Sequence, residues 1–200
     1  MILVATLGLA LGLGMLSGGR LRLLEHVRIR GEAVLVCLLM LQLATPVLAP
    51  ALSLPRALAL ALWCAELAAA GGICLWNMRL RGMLLAGLGL FLNVVVVSAN
   101  LGMPVDAAAY SRWSGGSKLA LAASDQLHVL LGHATRLPYL ADVLAFPAPR
   151  PLASLMSAGD VLLFAGVAVL LYSGLLGQYK RRSRSTVVDR FVPNGGIRRL

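Results

Sequence analysis

Two hundred residues with 59% hydrophobic side chains, only 13% charged ones and a mean hydropathy of +0.84 exclude a soluble globule. A chain this small has too much surface to hide that much apolar area, and it is too apolar to stay unfolded in water. The net charge of +10 is not a nucleic-acid signature, because the basic residues flank long apolar runs and carry no interleaved aromatics or binding motif. Charge placed this way orients a chain in a bilayer and contacts anionic lipid.

Read in chain order, apolar runs near membrane-spanning length predict five transmembrane helices. The first covers about 2–16 and ends at Ser17-Gly18-Gly19, with its basic residues (Arg20, Arg22, Arg28, Arg30) after the run. A signal peptide would place them before it. The second covers about 33–48 and is closed by Pro46, Pro50 and Pro55. The third covers about 57–76, the fourth about 83–99 and the fifth about 157–177. Cys37, Cys64 and Cys74 all fall inside apolar runs, without a C-x-x-C pair, and read as small core residues.

Between the fourth and fifth spans, residues 100–156 are too long for a turn. The apolar periodicity over Leu119–Leu131 predicts an amphipathic interfacial helix, and Tyr139–Phe146 a second, short one. Together they form a lid over the bundle. Residues 185–200 read as a flexible basic tail, leaving 1–184 as a single membrane domain.

With the N-terminus outside, thirteen Lys and Arg fall on the inner side and five on the outer side. The positive-inside rule is then satisfied with the C-terminus in the cytoplasm. Trp76, Tyr172 and Tyr179 lie near span ends, where aromatic belts form. The expectation is an all-α polytopic bundle in the plasma membrane.

Few polar side chains lie within the spans, so each is informative. At about 1.5 Å of rise per residue, Gln42, Glu66 and Asn93 fall near the midplane, with Asn100 and Asp160 at the outer mouth. Gln42 and Asn93 read first as hydrogen-bonding glue between helices. Glu66 is an ionisable group at the midplane, where burial is costly, and it is expected to face helices with Gln42 and Asn93 as neighbours. Asp160 follows Ser157-Ala158-Gly159 and also reads as a helix N-terminal cap. His128 and His133 are five apart, off the spacing that stacks two ligands on one helix face, so no metal and no cofactor is expected. Gly8/Gly12 and Gly14/Gly18 suit close packing of the first span, in the bundle or between copies.

Several short words stand out: Asn77 to Gly82, Gly89, Asn93, Asn100-Leu101-Gly102-Met103-Pro104-Val105, His128, Thr135, Leu140-Ala141-Asp142 and Ser157-Ala158-Gly159-Asp160. Over most of its length the chain resembles a family of small bacterial integral-membrane proteins known only as a domain of unknown function. Leu101 and Ala141 stand where that family's pattern has glycine. The resemblance implies a bacterial plasma-membrane protein with a shared polar pattern on its outer face, and no reaction, cofactor or partner.

The functional expectation is an outer-face site built from Asn93, Asn100, His128, His133, Thr135, Asp142 and Asp160. It would bind a small polar molecule, a lipid headgroup or a membrane partner, a second copy included. The alternatives are a membrane enzyme using His/Asp acid–base chemistry on a lipid-linked or periplasmic substrate, and a small oligomeric transporter.

Overall fold

The computed structural model describes residues 2–114, 126–146 and 154–179. Among these residues six α-helices carry the fold: α1 (Ile2–Leu16), α2 (Glu32–Ala51), α3 (Arg56–Trp76), α4 (Met83–Asn100), α5 (Ala107–Ser114) and α6 (Ala158–Leu175). Four of these, α2, α3, α4 and α6, are long and apolar enough to cross a membrane. The first helix is shorter: at about 1.5 Å per residue its 15 residues reach roughly 22 Å, less than a hydrocarbon core of about 30 Å.

The chain runs up and down. The α3–α4 turn at Asn77–Gly82 is one end of the bundle, and Asn100 lies at the other. Along α4, Gly82, Ala86 and Gly89 face Gly166 and Gly159 of α6. A Cβ on Gly159 would stand 2.0 Å from Asn93 Oδ1 and 2.7 Å from the Gly89 carbonyl. One on Gly166 would stand 2.5 Å from the Ala86 nitrogen. Backbones this close need small residues on both helices, the packing mode of membrane helices that gain nothing by excluding water. Within this chain α1 packs through Ala10, which is buried, and through Gly14, while a Cβ on Gly18 would meet no described atom within 4 Å. Gly14 abuts Leu175, whereas a Cβ added to Gly8 or Gly12 would meet no described atom within 4 Å.

The buried core has two parts. Ala59, Leu60, Val96, Val97, Met103 and Leu127 pack together near the Asn100 end. Leu67, Ala70, Cys74, Met83, Ala86 and Leu90 pack toward the other. Trp63 touches both clusters.

Helix α2 corrects one expectation, because it continues through Pro46 and Pro50 to Ala51. Each proline removes one hydrogen bond, but unwinding an apolar segment would leave many more backbone groups unpaired. The chain wraps tightly only afterwards, where the Leu54 N–H donates to the Ala49 carbonyl and the Ser53 N–H to that of Pro50.

The lid corrects a second expectation. His128–Leu130 is not helical. It is a strand, β2, paired in parallel with β1 (Met103–Val105), with Met103 opposite His128 and Val105 opposite Leu130. Within Tyr139–Phe146 only a single 3-10 turn, Pro138–Leu140, is helical, and Leu144–Phe146 forms β3, antiparallel to β4 (Ser154–Met156). Val129 and Val143 are β-branched, and Pro138 withholds the N–H a continuing helix would need. The Leu119–Asp125 part of the expected helix and the 185–200 tail lie outside the described residues.

Candidate functional site

Strand β1 is pinned on both edges. On one side its partner is β2, with the Met103 N–H donating to the Leu127 carbonyl and the Leu131 N–H to that of Val105. On the other side the Asp142 N–H donates to the Pro104 carbonyl, and the Asp106 N–H to that of Asp142. His128 and Asp142 therefore flank the same buried strand, and their side chains approach: His128 Nε2 lies 3.9 Å from Asp142 Oδ2. The imidazole also tilts against the Trp63 ring, with centroids 5.9 Å apart.

Beside this pair, the start of α6 forms a closed circuit. Ser157 and Asp160 make a reciprocal capping box: the Asp160 N–H donates to Ser157 Oγ at 2.9 Å, and the Ser157 N–H to Asp160 Oδ2 at 3.1 Å. Asn93 joins it across the helix interface. Its Nδ2 donates to Asp160 Oδ1 at 2.7 Å, and its Oδ1 accepts from the Ser157 hydroxyl at 2.8 Å. Ser157 is fully buried. The Ser157 hydroxyl, the Ser157 and Asp160 N–H groups and one Asn93 Nδ2 N–H are all used within this circuit.

Asn93 and Asp160, expected in different layers, touch. Asn93 is seven residues, roughly 10 Å of rise, inward of Asn100. The last turns of α4 thus extend past the start of α6, and the lid descends to meet it. The cluster is recessed below the end of α4 rather than lying level with it.

Asp142 differs from its neighbours. Its side chain is 13% exposed, its Oδ1 is wholly buried, and that oxygen has no hydrogen-bond partner among the described residues. Burial pushes the carboxyl up to about 7, and the nearby Asp160 charge adds to the rise while His128 opposes it. Asp106, another lid carboxylate, caps α5 by accepting from the Ala108 and Ala109 N–H groups.

The remaining expected site residues lie elsewhere. Asn100 is a clamp: its Oδ1 accepts from the Arg136 N–H at 2.8 Å, and its Nδ2 donates to the Arg136 and Val96 carbonyls, both at 2.9 Å. Thr135 closes a turn by accepting from the Gly132 N–H. His133 is exposed. Glu66 is buried and does face a helix, but its partner is Thr45 of α2, whose hydroxyl lies 2.8 Å from Glu66 Oε1 and 3.0 Å from the Leu41 carbonyl. Asn93 turns to α6 instead, and Gln42 is half-buried on α2.

Sequence reasoning missed three supporting residues. Trp63 lies on α3 under His128, Thr45 holds Glu66, and Arg56 ties the start of α3 to the lid through the Gln126 and Leu101 carbonyls. For Arg56 a signal existed, since a lone arginine between two apolar runs needs acceptors. For Thr45 and Trp63 there was none, because apolar spans commonly contain both types.

The site can therefore offer a buried carboxylate acceptor, a second carboxylate already held by its cap, and an imidazole on an aromatic ring. Among the described residues no group of three or more His, Cys, Asp and Glu is arranged to hold a metal ion. No curated protein and no solved structure matches the chain. One family does, over residues 26–172, which contain α2 to α5 and the whole recessed cluster, so the chain belongs to the family of unknown function DUF5317.

Proposed function

We propose that this is a five-span plasma-membrane protein, N-terminus outside and C-terminus in the cytoplasm, whose outer face binds a small polar molecule or lipid headgroup in the recess at Asp142 and His128. The observation that carries the reading is the buried Asp142 Oδ1, an acceptor left without a donor beside a lid histidine. An unpaired buried acceptor costs about 1–3 kcal/mol, a cost that a ligand donor would remove.

The roles of the expected residues then divide. Asp142 and His128 contact the ligand, while Asn93, Ser157 and Asp160 fix the floor by joining α4 to α6. Asn100, Thr135 and Arg56 hold the lid in place. Acid–base catalysis fits less well, because 3.9 Å between His128 and Asp142 is too long for the hydrogen bond that orients a catalytic base. The short α1 makes its crossing by thinning the bilayer locally, as short spans do. Arg20, Arg22, Arg28, Arg30, Arg79 and Arg81 then gather on the inner face, where they meet anionic lipid.

A thermal-stability screen of the full chain in nanodiscs, using headgroup analogues and small polar metabolites, tests the binding reading. At least one compound should raise the melting temperature of the wild type and not of Asp142→Asn. If every stabilising compound acts equally on both, the recess is not the site. Reporter fusions after Leu200 test the orientation, and export of that reporter would overturn it.

A further inference from the structure

We infer that the ligand of the Asp142 recess presents an ammonium group that carries at least one N–H, an inference that rests on the binding reading above and specifies its chemistry. The inference follows from what hydrogen-bonding capacity is left. Most donors around the recess floor are engaged internally: one Asn93 Nδ2 N–H by Asp160, the Ser157 hydroxyl by Asn93, and the Ser157 and Asp160 N–H groups by the capping box. The Asp142 N–H is taken by Pro104. What remains open is an acceptor, the buried Asp142 Oδ1. Once ionised, Asp142 can only accept, so a ligand must bring the proton to this bond.

Charge points the same way. Asp142 lies within electrostatic reach of Asp160, and His128 is the basic group that opposes the pair. An anionic ligand group would enter against two carboxylates, whereas a cation would relieve their repulsion. A quaternary ammonium has charge but no N–H, so it would leave Asp142 Oδ1 unpaired. An ammonium that keeps an N–H, as a primary amine's does, meets both needs.

Binding and protonation are then linked. At neutral pH the Asp142 carboxyl, raised to about 7, is partly protonated, and an incoming ammonium favours its ionised form. Affinity should rise with pH up to about 7, close to tenfold per unit on the acidic side, then level off. The groups facing Asp142 in this titration are His128 on β2 and Asp160 on α6.

The test measures binding to the full chain in nanodiscs by calorimetry, from pH 5.5 to 8.5. The soluble probes are ethanolamine, choline and glycerol 3-phosphate. A second arm compares nanodiscs of phosphatidylethanolamine with nanodiscs of phosphatidylglycerol by melting temperature. Ethanolamine should bind at least tenfold more tightly than choline, release protons near pH 6.5, and lose most of its affinity in Asp142→Asn. Stabilisation by phosphatidylethanolamine alone, dependent on Asp142, would also support the inference and make the source a lipid headgroup. Ethanolamine binding without that lipid effect would make it a free amine. Asp142-dependent binding of glycerol 3-phosphate, or of choline as tightly as ethanolamine, would overturn the ammonium assignment and leave the recess a site. No Asp142-dependent effect from any probe or lipid would overturn the assignment, and the broader metabolite screen above would then decide whether the recess binds anything. The wild-type pH profile does not depend on the variant folding: a flat profile would also overturn the inference.

Discussion

The two ends of the bundle are fastened by the same device. At one end Asn77, just after α3, accepts from the Arg30 N–H at 2.8 Å and donates to the Arg30 carbonyl at 2.9 Å and the Ile73 carbonyl at 2.8 Å. At the other, Asn100, closing α4, makes the corresponding three bonds to Arg136 and Val96 within 0.1 Å of the same lengths. In each case a carboxamide at a helix end satisfies a carbonyl four residues back and pairs with the backbone of one arginine from another segment. The match accounts for the Asn100 hydrogen bonds as a helix-end clamp. A residue expected in the site on the strength of its position has the same fully used geometry as one at the opposite end, where no site is proposed. What distinguishes the Asn100 end is the layer below it, where the unpartnered Asp142 Oδ1 lies in a carboxyl beside His128 and within electrostatic reach of Asp160.

The largest effect that would break this picture is expected at the floor of the recess. Gly159→Ala places a methyl where Asn93 Oδ1 and the Gly89 carbonyl now lie, so α4 and α6 must separate. A loss of about 3 kcal/mol is expected, as for overpacked cores, read from unfolding in mixed detergent. A loss below about 0.5 kcal/mol, the range of ordinary surface substitutions, would mean the helices do not approach as described.

Next come the two clamps. Asn77→Ala and Asn100→Ala should each lower stability by about 2–3 kcal/mol, since each strands backbone groups of a loop and a helix end. Their near equality is the point. If Asn100→Ala were close to neutral in stability yet abolished ligand-dependent stabilisation, Asn100 would belong to the site after all.

The smallest effect sharpens the contrast between the ends. Leu101, which follows Asn100, has a left-handed backbone with φ 51° and ψ 44°, while Asn77 sits at φ −102°. A leucine in that region is strained by about 1–2 kcal/mol, partly offset by the flexibility a glycine adds to the unfolded chain. Leu101→Gly should therefore stabilise by about 0.5–1 kcal/mol, measured in the same unfolding experiment. At Ala141, the other position where the resemblance leads to glycine, φ is −70° and the backbone extended, so no such gain is expected.

How legible this was follows from which physics each part obeys. The long helices are set by local composition and length, so the bounds expected for α3 and α4 fall within one residue of those observed. The end of α2 differs from expectation because proline breaks helices in water, whereas an apolar surround penalises the unwound alternative. The lid differs because β1 and β2 are three residues each and pair across more than twenty residues, a contact no periodicity reports. In the site, the Ser157–Asp160 cap is readable from spacing. The Asn93 bond to it is hidden by the offset of α6 against α4, which depends on where glycines let two backbones meet. Asp142 stands out in the sequence, but its isolation from donors is a property of the folded lid.

The most direct test of the central claim, that Asp142 is a buried carboxyl without a donor, is the melting temperature of wild type and Asp142→Asn across pH 4.5 to 8.5 without ligand. A folded-state value near 7 against an ordinary 3.8 means that the folded protein keeps a proton the unfolded chain has released. The stability this group contributes is complete below about pH 3.8 and is lost as the pH rises through about 7. The wild type should therefore weaken relative to Asp142→Asn between pH 5 and 7.5, with the gap constant above that range. Parallel curves over the whole range would mean that Asp142 is solvated or paired, and would contradict the claim.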